Sequence, residues 1–100
     1  MITIPQLCPV CTTGPIGFRL CGDGRTLVLM CDECDSVWLL GAELRVETAH
    51  SPAWPDFMIP EIGCSVGSPG ARWATWEDMG NAGIKDQLLK EGKGLSDMRQ

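Results

Sequence analysis

The chain has 100 residues, which predicts one domain with room for a short appendage. Its formal net charge is −5, and this argues against nucleic-acid binding, because phosphate backbones require a basic surface. The first residues contain no basic region, and no stretch approaches the apolar length of a membrane span. We therefore expect an acidic, cytoplasmic protein without membrane partners, in which thiols stay reduced.

Residues 1–45 predict a three-stranded antiparallel sheet. Residues 17–21 alternate as a half-exposed strand does, and residues 22–25 supply two glycines and an aspartate for a tight turn. Residues 26–30 form a short apolar run typical of a strand buried on both faces, and residues 37–40 are the third candidate. The pattern indicates a hairpin followed by one further strand.

Two C-x-x-C pairs, with nineteen residues between them, frame this hairpin. This spacing is typical of a four-cysteine zinc site, because Zn²⁺ prefers four soft ligands in a tetrahedron. Redox pairs are the alternative, but neither pair opens a helix as a redox C-x-x-C does. Iron is possible in principle, although zinc is commoner at such sites. The sequence predicts one structural Zn²⁺, with no open position for a substrate, held by Cys8, Cys11, Cys31 and Cys34.

The same stretch, Cys8–Leu44, resembles a zinc ribbon of the rubredoxin-like kind found in many small prokaryotic proteins. The sequence departs from this family at Asp35, where a glycine is common after the second pair. Near the first pair, we expect Gly14 to supply a residue with a left-handed backbone conformation. The resemblance implies the ribbon fold and the metal but says little about activity, since ribbons serve many functions. The stretches that carry it are Cys8-Pro9-Val10-Cys11-Thr12-Thr13-Gly14 and Cys31-Asp32-Glu33-Cys34-Asp35-Ser36-Val37-Trp38.

The remainder divides into two further parts. Residues 46–71 are a connecting segment rich in proline and glycine, yet too apolar for a solvated linker, so we expect them to cover either the ribbon or a partner. Residues 72–100 are a short helical segment with a frayed tail. Thr75 is the expected N-cap, a break is expected near Gly83, and a second short helix is expected over residues 84–91.

Four residues are candidates for contact with a protein partner. Asp32, Glu33 and Asp35 surround the second cysteine pair, where they form either a solvated turn or an acidic contact surface for a basic partner. Trp54 is a candidate contact residue in the connecting segment, because tryptophan is enriched at interface hot spots.

The sequence assigns no chemistry to the other candidate residues. Cys21 is expected to be a small buried residue. Cys64 and His50 do not form a convincing catalytic pair, because no orienting group or oxyanion site accompanies them. Trp73 and Trp76 recur at helical spacing, which favours core packing.

Together these features predict a small α+β fold, a three-stranded zinc ribbon followed by a C-terminal helical segment. The expected function is non-enzymatic protein binding, either by an inhibitor of the bacterial immunity or antitoxin kind that masks a toxin or enzyme, or by an adaptor. The alternative is a zinc ribbon of the transcription or translation machinery, which would require basic strands that this hairpin lacks.

Overall fold

The computed structural model describes residues 1–53 and 55–83. Within these residues the strands are mostly antiparallel and there is a single short α-helix, so the fold is α+β or mainly β. A 3₁₀ helix covers Val46–Thr48, and helix α1 covers Trp76–Asn81. The strands are β1 (Thr3–Leu7), β2 (Pro15–Leu20), β3 (Leu27–Cys31), β4 (Val37–Leu39), β5 (Met58–Ile59), β6 (Cys64–Ser65) and β7 (Arg72–Trp73).

The main sheet contains the predicted hairpin and third strand together with two strands that were not predicted. Strands β1 to β4 lie side by side in chain order, each antiparallel to its neighbour, and β7 also pairs with β2. Strands β2, β3 and β4 begin or end within two residues of the predicted bounds. Strand β1 contains Pro5 and is mostly exposed, so it lacks the apolar alternation by which a strand is predicted. Strand β7 has only two residues, too few for any periodicity.

The β2–β3 turn is held by one carboxylate. Asp23 Oδ1 accepts hydrogen bonds from the backbone N–H groups of Arg25 and Thr26, and Asp23 Oδ2 accepts one from Thr26 Oγ1. The bonds from Thr26 and Arg25 favour the ionised form and lower the pKa of Asp23 to about 2. Gly24 takes a φ of +74°, which only glycine adopts without strain. These bonds fix the register of the hairpin.

Strand β3 is buried along its whole length, as its continuous apolar sequence predicted. Its alternate side chains enter two separate cores, one on each face of the sheet. On the first face, Leu29 packs with Phe18 and Trp38, and the indole Nε1 of Trp38 donates to the backbone oxygen of Arg45 at 3.0 Å. On the second face, Val28 belongs to the other apolar cluster.

Part of the connecting segment covers that second face. Ile59, Cys64 and Val66 are buried in the same cluster as Val28. The guanidinium of Arg19 donates from Nε and Nη2 to the Val66 carbonyl at 3.0 and 2.8 Å. These residues of the connecting segment therefore pack on the sheet of the same chain. Trp54 lies outside the described residues.

Helix α1 begins as predicted. Thr75 accepts a hydrogen bond from the N–H of Asp78, and the Asp78 carboxylate accepts one in return from the N–H of Thr75. Met79 anchors the helix in the first core. The expectation of a core position was wrong for Trp76, which is 56% exposed because Met79 lies on the face turned to the sheet. The predicted helix over residues 84–91 and the frayed tail lie outside the described residues.

Candidate metal centre

The strand order brings the two C-x-x-C pairs to one end of the sheet. Cys8 and Cys11 lie in the β1–β2 connection, while Cys31 ends β3 and Cys34 lies in the β3–β4 connection. In a sheet of successive antiparallel strands, these two connections fall at the same end and the β2–β3 turn falls at the other. Pairs that are distant in sequence thus become the two halves of one site.

The four sulfurs form a compact group. All four Sγ atoms lie within 4.8 Å of one another, with Cys8 to Cys34 and Cys11 to Cys31 both at 3.6 Å. A tetrahedron with metal–sulfur bonds of about 2.3 Å has edges of about 3.8 Å, whereas a disulfide bond needs about 2.05 Å. The observed separations match the tetrahedron and exclude bonded pairs. These cysteines can therefore hold one metal ion, and the same geometry suits more than one thiophilic metal.

Backbone amides support the two buried sulfurs in the same way. Cys8 Sγ accepts hydrogen bonds from the N–H groups of Val10 at 3.3 Å and Cys11 at 3.5 Å. Cys31 Sγ accepts the corresponding bonds from Glu33 at 3.4 Å and Cys34 at 3.5 Å. The two pairs are thus nearly equivalent turns, each aiming N–H dipoles at a sulfur that carries negative charge when it binds a metal.

The backbone of the two turns is equivalent as well. Thr12 and Asp35, each directly after the second cysteine of its pair, have φ values of 66° and 63°. The absence of glycine at residue 35 therefore leaves the knuckle geometry intact. The expectation for Gly14 was wrong, because Thr12 supplies the left-handed residue. Gly14 instead permits a close approach: a Cβ there would lie 2.5 Å from Cys31 Sγ.

Burial and hydrogen bonding act on these thiols in opposite directions. Burial raises the pKa of the Cys8 thiol and raises that of Cys31 to about 12. The N–H of Thr13 stabilises the Cys11 thiolate and lowers its pKa to about 6. Since metal ligands must be thiolates, metal binding displaces the protons that burial retains on Cys8 and Cys31.

Three of the four predicted contact residues, Asp32, Glu33 and Asp35, lie beside the second cysteine pair. Asp32 and Glu33 are exposed, and Asp35 is half-buried. Glu33 Oε2 accepts a hydrogen bond from Thr13 Oγ1 at 2.8 Å, so its carboxylate joins the second turn to the first.

Sequence reasoning missed the apolar half of this surface. Leu7 and Val10 are 57% and 40% exposed at the first turn. A signal was available only for Val10, which lies between the two cysteines of the first turn, whereas Leu7 is the last residue of β1.

The remaining candidates are not brought together as a catalytic pair. Cys21 is fully buried, as predicted, and its Sγ lies 2.6 Å from that of Cys64. His50 Nδ1 instead lies 3.5 Å from Glu61 Oε1. Sequence reasoning missed the contact between the two cysteines because forty-three positions separate them.

The part of the chain that the structure describes contains no helix long and apolar enough to cross a membrane. No family model matches the chain, and neither a curated protein nor a solved structure matches it.

Proposed function

We propose that this is a non-enzymatic protein-binding module whose four cysteines hold a structural Zn²⁺. One observation carries the proposal: exposed apolar side chains and exposed carboxylates lie on the two cysteine turns and on the adjoining end of β1. Leu7 and Val10 supply the apolar part, and Asp32 and Glu33 supply the charge. We call these four residues the knuckle surface.

Zinc fits the centre for chemical reasons. Four thiolates are soft ligands that suit it, and four protein ligands leave no position for water or substrate. Such a site supports the fold and its surface instead of a reaction. Metal analysis of the protein purified from its own host tests the assignment. About one zinc per chain is the expected result, and iron at that stoichiometry with the absorption of a ferric tetrathiolate would replace it.

The chemistry of the knuckle surface favours a particular kind of partner. Exposed carboxylates attract a basic surface and speed association, while exposed apolar side chains contribute binding energy when they are desolvated. Within this class we favour an inhibitor of the immunity or antitoxin kind that masks a basic toxin or enzyme. A cytoplasmic adaptor uses the same surface with a different partner.

Nucleic acid is the less favoured partner. Residues 1–83 contain four arginines against ten carboxylates. Three of these arginines have partners within the chain. Arg19 donates to the Val66 carbonyl, and Arg45 and Arg72 form ion pairs. Those pairs are Arg45 with Glu43 and Arg72 with Asp78.

The test begins with the full zinc-loaded chain as bait in a nuclease-treated lysate of its own host, at low and moderate salt. We expect one stoichiometric protein partner that survives moderate salt. Its affinity is then measured against two variants of the knuckle surface. Asp32→Lys with Glu33→Gln, which keeps an acceptor for Thr13, should weaken binding by on the order of tenfold or more, chiefly through slower association. Val10→Ser should weaken binding by about tenfold through faster dissociation.

Matched variants keep this test specific. Asp56→Lys with Glu47→Gln makes the same change of net charge at exposed sites outside the knuckle surface, and Val46→Ser removes an exposed valine elsewhere. Both should bind as the parent does. Equal losses of affinity in the knuckle-surface variants and in the matched variants would place the interface outside the knuckle surface. Recovery of nucleic acid alone, with binding that falls steeply as salt rises, would favour the transcription or translation class.

A further inference from the structure

A second pair of cysteines lies away from the metal centre. Cys21 directly follows β2, and Cys64 opens β6. Their Sγ atoms are 2.6 Å apart, against 3.6 Å for the nearest sulfurs at the metal centre. Cys21 is fully buried and Cys64 is 6% exposed. The two sulfurs face each other in an otherwise apolar cluster.

This pair is independent of the metal ligands. The metal centre lies at the start of β2, and Cys21 lies just beyond the other end of that strand. The two sites also belong to different cores: Cys8 and Cys31 are in the cluster on the first face of the sheet, while Cys21 and Cys64 are in that on the second. A reaction of one pair therefore need not disturb the other.

Hydrogen bonds hold the two chain segments in register around the pair. The N–H of Gly22 donates to the Ser65 carbonyl at 2.9 Å, which joins the two segments, and within the hairpin the N–H of Cys21 donates to Thr26 O at 2.8 Å. The guanidinium of Arg19, which lies in β2, donates to the carbonyl of Val66, two residues beyond Cys64. Bonding the two sulfurs thus requires a small adjustment of side chains and no rearrangement of the fold.

We propose that Cys21 and Cys64 are a redox site that closes to an intramolecular disulfide when the oxidant is a low-molecular-weight disulfide, for which oxidised glutathione serves as the probe. The Cys64 thiolate attacks one sulfur of the oxidant, breaks its S–S bond and releases one small thiol. The Cys21 thiolate then attacks the Cys64 sulfur of the mixed disulfide and releases the second small thiol. The two cysteines lose two electrons to the oxidant, and their two protons end on the released thiols.

Access sets the order and speed of these steps. Cys64 is the more exposed sulfur, so it meets the oxidant first. Burial and the neighbouring Cys64 raise the pKa of Cys21, so Cys21 is the less ready of the two thiols to attack the oxidant. Strands β5 and β6 are joined over only two residue pairs, so local opening here is the expected route of entry.

Formation of this disulfide should raise the stability of the protein and leave its fold unchanged. The bond would join β2 to the segment that covers the second core, and it would close a loop of more than forty residues. Constraint of the unfolded chain by a loop of that size should raise the unfolding temperature by on the order of 10 °C.

The experiment uses the full metal-loaded chain, incubated with oxidised glutathione below its unfolding temperature and then alkylated in denaturant with a chelator. Four of the six cysteines should take the label, the mass should fall by two hydrogen atoms, and metal content should not change. Trypsin then assigns the bond, because peptides 20–25 and 46–72 each contain one cysteine and neither contains a metal ligand. These two peptides should appear joined and should separate after reduction.

Two single variants serve as controls, and an exposed dithiol peptide checks that the incubation is oxidising. Cys21→Ala and Cys64→Ala should both keep their metal, show no joined peptide and melt at the same temperature before and after oxidation. A bond that includes Cys8, Cys11, Cys31 or Cys34, or a persistent glutathione adduct on the parent chain, would overturn the proposal. So would six labelled cysteines after an incubation that fully oxidises an exposed dithiol peptide.

Discussion

Thr12 and Asp35 occupy equivalent positions in the two metal-binding turns, and each takes a left-handed backbone conformation with a side chain other than glycine. Such a conformation costs an L-residue roughly 1–2 kcal/mol, and it is least suited to β-branched residues. Aspartate is among the residues that tolerate it best, because its short polar side chain bonds locally. Strain at the metal centre is therefore expected to be greater at Thr12 than at Asp35.

Thr12→Gly should accordingly stabilise the metal-loaded protein by roughly 0.5–1 kcal/mol, the strain that is relieved less the added freedom of glycine in the unfolded chain. Urea unfolding at fixed metal saturation measures the change. Thr12→Ala is the matched control, because it also removes the hydroxyl but keeps a Cβ at the same φ. A gain in the alanine variant as large as in the glycine variant would assign the effect to the hydroxyl, which bonds the Cys11 carbonyl.

Gly14 carries a different constraint, set by the space beside a metal ligand. A Cβ at this residue would lie 2.5 Å from Cys31 Sγ and 3.1 Å from the Cβ of Glu33. Gly14→Ala should therefore displace Cys31 and lower metal affinity by on the order of tenfold or more, as measured by competition with a chromophoric chelator. Gly80→Ala is the control, since nothing lies within 4 Å of its new Cβ and its φ is not positive. Unchanged affinity in both variants would contradict the geometry of the centre.

At the scale of elements, the strands with an apolar pattern and the cysteines with a regular spacing could be predicted from the sequence. The β2–β3 hairpin was predictable because an apolar run follows an alternating one across an Asp-Gly turn, and the grouping of the four cysteines was predictable from their spacing. Strands β1 and β7 were not, since their register is set by β2 and not by their own periodicity. The contact between Cys21 and Cys64 depends on how the connecting segment folds back, which no local pattern specifies.

Helix α1 has only six residues, so its cap and its one buried side chain matter more than its propensity. Thr75→Ala removes the side chain that caps the N–H of Asp78 and should cost about 1 kcal/mol of unfolding free energy. Thr75→Ser keeps the hydroxyl and should cost little. Chemical denaturation of the three proteins measures the difference. Equal stability of all three would mean that the helix end is not coupled to the Met79 contact with the core.

At the scale of the whole molecule, the described residues form a five-stranded sheet with an apolar cluster on each face, and β5 and β6 form a separate two-stranded sheet. The first cluster is closed by α1, and the second by the segment that carries β5 and β6. A domain of this size buries a limited apolar area, so its stability depends on supplementary links. A metal ion held by the four cysteines would supply such a link, because it would tie the β1–β2 and β3–β4 connections together at one end of the sheet.

The link should be decisive for folding. A structural zinc site contributes on the order of 10 kcal/mol of apparent binding energy, which is as large as the whole unfolding free energy of a typical domain. Chelation of the metal, or Cys31→Ser, should therefore abolish the cooperative thermal transition seen by near-ultraviolet circular dichroism of the buried Trp38. Cys21→Ala also replaces a buried cysteine, but it spares the metal centre and should keep the transition at a lower temperature. If the metal-free chain still unfolded cooperatively near the temperature of the loaded protein, the two apolar cores would be sufficient, and the metal centre would serve the knuckle surface alone.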